Sequence, residues 1–115
     1  MREINNRIGT PWGLSDDGGE VFADGITFYT TPSHGGFGLS PERQAEFAQA
    51  LPGFTPVTGD LQWLEEDCDA KLVYLVWPEV ARREDAVQYA KDLVRGWWGD
   101  KHPELRQALD RMAIA

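Results

Sequence analysis

One of the two histidines of this 115-residue chain lies in a Pro-Ser-His-Gly-Gly segment whose residue types could do chemistry. His34 follows Ser33 and precedes Gly35 and Gly36. An imidazole can act as a general base or bind a metal ion, and two glycines can let the backbone approach a ligand or form an anion-binding nest. The spacing fits neither a phosphate-binding P-loop nor a nucleophile elbow. The alternative is a structural role, in which His34 caps a tight turn between a strand and a helix.

Four carboxylates and the single cysteine form a second candidate segment: Glu65, Glu66, Asp67, Cys68 and Asp69. Hard cations prefer oxygen ligands, and a thiol beside a histidine can be a nucleophile. However, no EF-hand spacing is present, one cysteine cannot build a cysteine-based zinc cage, and neighbouring acids lower the thiolate fraction. The sequence therefore predicts no cofactor and no dedicated metal site. The segment could be a structural or solvated face, a site shared with His34, or a patch that docks a partner.

The net charge of −8 is unevenly distributed along the chain. Residues 8–79 contain twelve acids and two bases, Arg43 and Lys71. Non-specific nucleic-acid binding requires basic surface, so we expect no direct contact with nucleic acid. An acidic surface instead suits a basic protein partner, such as one that normally holds DNA or RNA. The candidate docking acids are Asp16, Asp17, Glu65, Glu66, Asp67 and Asp69.

Trp97 and Trp98 end a predicted amphipathic helix. On helical geometry Trp97 continues the apolar face, and Trp98 is rotated about 100° away from it. An exposed Trp98 would be an anchor for a partner or for a homodimer, whereas core packing is the alternative. We therefore expect either a monomer or a homodimer.

The predicted secondary structure begins with a β-hairpin across residues 20–31, turning at Asp24 and Gly25. Residues 32–39 are predicted to be a loop. Ser40, Pro41 and Glu42 read as the start of a helix that runs to about Leu51. The continuous apolar run at 72–77 predicts a buried central strand. Helices follow at 82–98 and near the C-terminus.

This element order predicts an α+β fold with a small antiparallel or mixed sheet and two to three helices packed on one face. The chain length predicts a single domain over residues 1–115. No apolar run approaches the roughly 18–20 residues that a membrane span requires. The N-terminus carries no signal-like hydrophobic segment. We therefore expect a cytoplasmic protein without a membrane partner.

Several segments together resemble a small domain family of unknown function that occurs in plasmid, integrative-element and phage proteins of proteobacteria. The resemblance covers roughly residues 10–98, and its most specific parts are the segments TPSHGGF, LSPER and EEDCD. It implies no established activity and no catalytic roles. It does imply a mobile-element accessory protein, a class that often inhibits host defence.

Two hypotheses follow from these observations. In the first, a small acidic protein binds and inhibits a basic partner, for example a nucleic-acid-handling defence complex, as anti-restriction and anti-CRISPR proteins do. In the second, a hydrolase-like enzyme uses His34 as base or ligand, Asp67 to orient it or hold a cation, and Cys68 or Ser33 as nucleophile. The second requires the two segments to meet in space, within hydrogen-bond reach of each other. The sequence favours the first hypothesis, because the charge asymmetry is visible in the sequence itself. The enzyme hypothesis depends on a contact between two segments that the sequence does not show.

Overall fold

The computed structural model describes residues 7–67 and 69–114, without the side chains of residues 97, 113 and 114. The chain forms two compact units. We call Met1–Gln44 with Thr55–Ala70 the sheet unit, and Ala45–Phe54 with Lys71–Ala115 the helical unit. The single domain expected from the chain length stays a prediction.

The sheet unit contains two antiparallel sheets. The strands are β1 Gly9–Thr10, β2 Gly13–Leu14, β3 Glu20–Ala23, β4 Ile26–Thr30, β5 Gly35–Leu39 and β6 Trp63–Glu65. The short pair of β1 and β2 precedes a four-stranded sheet with the strand order β3-β4-β5-β6. Phe37 on β5 is 1% exposed and packs edge-on against the rings of Phe22 and Phe28, at 5.0 and 5.1 Å between centroids.

The predicted hairpin is confirmed. Ala23 pairs with Ile26, which leaves Asp24 and Gly25 as a two-residue turn. Gly25 adopts φ +82°, a conformation that a residue with a Cβ rarely takes. The register shifts between Val21 and Ala23, so a β-irregularity lies just before the turn.

The prediction of a loop at residues 32–39 is wrong for its second half, because Gly35–Leu39 forms β5, an inner strand of the sheet. Glycine serves here for close packing. A Cβ on Gly36 would lie 2.2 Å from the carbonyl oxygen of Leu64, and one on Gly38 would lie 2.8 Å from the ring of Tyr29. Gly35 and Gly36 pair with β4 and do not adopt positive φ. The anion-binding nest, one of the two possibilities for these glycines, therefore does not form here.

The helices are α1 Pro41–Ala50, α2 Val73–Val76, α3 Ala86–Arg95, α4 Trp97–Lys101 and α5 Pro103–Ile114, with 3-10 helices at Asp69–Leu72 and Pro78–Val80. The predicted start of α1 is confirmed, since the hydroxyl of Ser40 accepts the backbone N–H of Arg43 at 3.2 Å. The helix ends shortly before Gly53, which has φ +85°. Leu105 and Leu109 on α5 are buried, as the apolar spacing of the predicted last helix requires.

The prediction of a buried strand at residues 72–77 is wrong, because this run is helical. The backbone N–H of Trp77 donates to the carbonyl of Val73 at 2.8 Å, which closes a helical turn. Leu72 and Val73 are fully buried. A run in which nearly every residue is apolar carries no periodicity, so burial alone cannot separate a strand from a short buried helix. The indole N–H of Trp77 donates to a carboxylate oxygen of Glu46 at 2.8 Å, within the helical unit.

The long helix predicted at 82–98 is shorter than expected. It covers Ala86–Arg95 and stops at Gly96, after which α4 starts as a new helix at Trp97. The rotation calculated along one helix therefore does not apply to Trp98. Trp98 is 5% exposed, and its ring lies 6.2 Å from that of Phe54 and 6.3 Å from that of His102. The expectation of an exposed partner anchor at Trp98 is corrected to a core residue of the helical unit.

The α+β class and the antiparallel sheet are confirmed, with more helices than the two or three expected. Among the described residues, every helix is too short or too polar to cross a bilayer.

Candidate functional site

The structure brings the histidine segment and the acidic segment together in the sheet unit. The Nδ1 atom of His34 lies 3.5 Å from Oε2 of Glu65 and 3.9 Å from Oδ2 of Asp67. The two segments therefore meet in space, as the enzyme hypothesis requires, but neither carboxylate lies within the hydrogen-bonding distance of His34 that the hypothesis also requires. We call His34, Glu65 and Asp67 the three-residue cluster.

A threonine-centred turn places His34 at the start of β5. The hydroxyl oxygen of Thr31 accepts the backbone N–H groups of Ser33 and His34 at 3.3 and 3.1 Å. The same hydroxyl and the backbone N–H of Thr31 both donate to the carbonyl of His34, at 2.5 and 2.9 Å. Side-chain hydrogen bonds of this kind stabilise tight turns. The backbone of His34 is thus fixed, while its side chain stays 55% exposed.

The end of β6 places the two carboxylates. Glu65 pairs with Gly36 across the sheet, and the next residue, Glu66, donates its backbone N–H to the carbonyl of Gly35 at 2.9 Å. The backbone N–H of Asp67 donates to Oε1 of Glu65 at 3.0 Å. This bond holds one oxygen of Glu65, while the other, Oε2, faces the imidazole. The side chain of Glu65 is only 12% exposed, whereas that of Asp67 is 73% exposed.

An imidazole between two carboxylates can do one of two things. If it is protonated, it forms ion pairs with them, and if it is neutral, it can share a cation with them. The nucleophile that an enzyme would need has less support. The hydroxyl of Ser33 donates to the carbonyl of Trp12 at 3.4 Å, and Cys68 lies outside the described residues.

The other candidate acids divide into exposed and buried groups. Asp16, Asp17 and Glu66 are exposed. One carboxylate oxygen of Asp17 accepts the backbone N–H of Gly19 at 2.9 Å. Asp69 is only 3% exposed and is not available to a partner.

Asp69 has a structural role instead. Its Oδ2 accepts the backbone N–H of Val57 at 2.9 Å, a bond within the sheet unit between a loop residue and the 3-10 helix. A hydrogen bond to a charged group contributes about 1.5–3 kcal/mol, more than a neutral one does, which offsets part of the cost of burying this carboxylate. In the sequence, nothing distinguishes Asp69 from its exposed neighbours Glu66 and Asp67, because the segment has no regular period that would reveal burial.

The net charge of the chain belongs to the sheet unit. That unit contains ten carboxylates among its described residues, against the two bases Arg7 and Arg43. The helical unit contains eight acids and eight bases. The acidic excess is visible in the sequence, but its boundary is not, because the two units interleave along the chain.

Two ionisable side chains of the helical unit, Tyr74 and His102, do not belong to the cluster. Burial raises the pKa of the Tyr74 hydroxyl above its usual 10.0, and the positive charges of Arg82 and Arg83 partly oppose this shift. The second histidine, His102, has its Nδ1 3.2 Å from Oε2 of Glu104, close to the start of α5. This pair gives His102 a structural role at the start of that helix.

Comparison with known proteins identifies a family and no individual relative. No curated protein matches the chain, and no solved structure matches it. A family model described as a domain of unknown function, DUF7007, matches residues 5–113. The match spans nearly the whole chain and includes all three residues of the cluster. The chain therefore belongs to the DUF7007 family of domains of unknown function.

Proposed function

We propose that the sheet unit is an acidic docking module that binds a basic protein partner and inhibits it. The observation that carries this proposal is the segregation of charge: ten carboxylates and two bases in the sheet unit, against a balanced helical unit. Asp16, Asp17 and Glu66 are exposed on that unit. Exposed charges of one sign raise the association rate with an oppositely charged surface and make it dependent on salt.

The partner class follows from the sign of the charge. A surface lined by lysine and arginine, such as a nucleic-acid site, is the natural complement of clustered carboxylates. Occupation of that site by the sheet unit would exclude nucleic acid. The resemblance to plasmid, integrative-element and phage proteins points to a host-defence complex as the partner, encountered in the cytoplasm. This supports an inhibitor of the anti-restriction or anti-CRISPR type.

The first experiment is a pull-down of the tagged chain from a lysate that contains nucleic-acid-handling defence complexes, at low and moderate salt. We expect a stoichiometric basic partner that is released as the salt concentration rises, because the Debye length shortens to about 8 Å at physiological ionic strength. Capture of no basic protein at low salt, or capture that salt leaves unchanged, would count against the proposal.

Charge neutralisation then locates the surface. The test variant removes three exposed acids of the sheet unit: Asp16→Asn, Asp17→Asn and Glu66→Gln. The control removes three exposed acids of the helical unit and thus the same charge: Glu79→Gln, Glu84→Gln and Asp110→Asn. Because an exposed ion pair is worth about 0.2–1 kcal/mol, we expect the test variant to bind about tenfold more weakly. Equal loss in both variants would show that only net charge matters.

A hydrolase-like enzyme is the second candidate, and the contact between His34 and Asp67 favours it. In that case His34 acts as the base and Asp67 orients it. The test is a screen of ester, phosphoester and peptide substrates with the wild type, His34→Ala and His102→Ala. Turnover lost only in His34→Ala supports the enzyme, and turnover that survives this change removes the candidate.

A further inference from the structure

We propose that the three-residue cluster binds a divalent transition-metal ion of the Zn²⁺ or Mn²⁺ type. This inference goes beyond partner docking and does not depend on it. It rests on the convergence of His34, Glu65 and Asp67, which the sheet brings together from two segments about thirty residues apart in the sequence.

The separations of the ligand atoms fit one ion. One atom from each of the three side chains lies within 4.8 Å of the others. A tetrahedral ion with bonds of about 2.0–2.1 Å holds neighbouring ligand atoms about 3.4 Å apart. The distances from Nδ1 of His34 to the two carboxylate oxygens, 3.5 and 3.9 Å, come within a few tenths of an ångström of that value. Because the side chain of Asp67 is exposed, its carboxylate can move the remaining few tenths of an ångström toward His34.

The contacts are too long to be direct hydrogen bonds. An N–H···O bond has a donor–acceptor distance of about 2.7–3.2 Å, and both separations from the His34 ring exceed it. Among the residues that the structure describes, these are the polar contacts recorded for the ring of His34. The three groups therefore leave room for a cation between their ligand atoms.

The surroundings of the cluster hold two of the ligands in place before any ion arrives. The backbone N–H of Asp67 binds Oε1 of Glu65, which leaves Oε2 directed at His34. Hydrogen bonds to Thr31 fix the backbone on which His34 stands. Partners of this kind orient metal ligands and increase affinity. The exposure of His34 and Asp67 leaves room for water to complete the coordination.

The ligand set selects among cations. Imidazole suits Zn²⁺, Fe²⁺ and related ions, and carboxylates suit Mn²⁺, Mg²⁺ and Ca²⁺, so a set with one imidazole and two carboxylates is compatible with Zn²⁺ and with Mn²⁺. Ca²⁺ requires six to eight oxygen ligands, and Mg²⁺ loses its water reluctantly. We therefore expect Zn²⁺ and Mn²⁺ to bind more tightly than Mg²⁺ or Ca²⁺.

The test is calorimetric titration of the full chain with Zn²⁺, with Mg²⁺ as a comparison, together with ¹⁵N NMR of the histidine rings. The site variants are His34→Ala, Asp67→Asn and Glu65→Gln. The last keeps an oxygen for the Asp67 N–H and removes the charge. The matched control is His102→Ala, because His102 also faces a carboxylate, that of Glu104 at 3.2 Å. Circular dichroism establishes whether each variant is folded, and the exposure of His34 and Asp67 leads us to expect folded protein for the variants at these two positions.

We expect one Zn²⁺ per chain, a shift of the His34 ring nitrogens, and a loss of at least about tenfold in affinity in each site variant. His102→Ala should bind as the wild type does. The absence of a one-to-one site, equal affinity in His34→Ala, or an equal loss in His102→Ala would each overturn the proposal. Equal binding of Zn²⁺ and Mg²⁺ would also overturn it, since that behaviour is typical of loosely held surface carboxylates.

Discussion

Replacement of Gly36 by alanine should damage the sheet at the point where the cluster is assembled. A Cβ at this position would lie 2.2 Å from the carbonyl oxygen of Leu64 and 2.5 Å from the Trp12 ring. A carbon and a carbonyl oxygen ordinarily approach no closer than about 3.3 Å. The Leu64 oxygen belongs to the backbone of β6 and cannot rotate away as a side chain can. The variant must therefore separate β5 from β6 by about 1 Å at this position.

The size of the effect follows from the bonds that such a separation breaks. The hydrogen bonds at the two ends of the β5–β6 pair are both 2.9 Å long, from Glu66 N–H to Gly35 and from Leu39 N–H to Gln62. An opening of about 1 Å takes them beyond hydrogen-bonding distance, and each lost bond costs about 0.5–1.5 kcal/mol. Together with overpacking against the Trp12 ring, we expect a loss of about 2–4 kcal/mol in the free energy of unfolding.

Urea unfolding followed by circular dichroism measures this loss, and Gly9→Ala provides the matched control. Gly9 lies in β1 without a positive φ, and nothing lies within 4 Å of a Cβ built on it. The control should stay within about 0.5 kcal/mol of the wild type, as surface substitutions do. If Gly36→Ala is as stable as Gly9→Ala, then glycine is not required for the close packing of β5 and β6, and the reasoning is refuted.

Three further predictions concern single side chains. Burial raises the pKa of Tyr74 in the folded protein, so the neutral Tyr74 contributes its whole stabilisation below about pH 10 and loses it as the pH rises through the folded pKa. Tyr74→Phe should remove this loss of stability, as measured by unfolding experiments between about pH 9 and 12. Ser15→Ala should cost about 1–3 kcal/mol in thermal or urea unfolding, because the buried hydroxyl accepts the Ile8 N–H at 2.8 Å and donates to the Asp17 carbonyl. Trp98→Ala should cost about 3–5 kcal/mol in the same assay, as for a buried aromatic residue, whereas a cost below 1 kcal/mol would restore Trp98 as a surface residue.

Local signals in the sequence predicted the parts of the fold that depend on local interactions. The Asp24-Gly25 turn and the Ser40 helix cap each require only a few neighbouring residues, and both are present. The strand nature of β5 could not be predicted in this way, since three of its five residues are glycine. It is imposed by neighbouring strands, whose backbone and aromatic rings occupy the space that side chains would fill. The sequence contains no local signal for such an effect.

The sequence indicated which residues could form the candidate site, but not which of them come together in the fold. His34 and Asp67 could be named because imidazole and carboxylate groups are candidate acid–base or ligand residues when they lie in loops. That they meet depends on the pairing of β5 with β6, which is a long-range contact. The separation of Asp69 from the cluster likewise depends on burial. Sequence patterns report burial only where a regular period exists, and residues 65–69 have none.

The glycine-rich β5 also has a consequence for the order of folding. Glycine has the largest conformational freedom to lose on folding, and β6 joins the sheet only after residues 40–62 have closed a long loop. The β3–β4 hairpin has neither a glycine-rich strand nor a long loop to close. We therefore expect the β5–β6 edge to form last and to open first in native-state hydrogen exchange. The cluster would then assemble and come apart with that edge while the hairpin stays intact, so a ligand that binds there would slow the exchange of the Glu66 amide before any other.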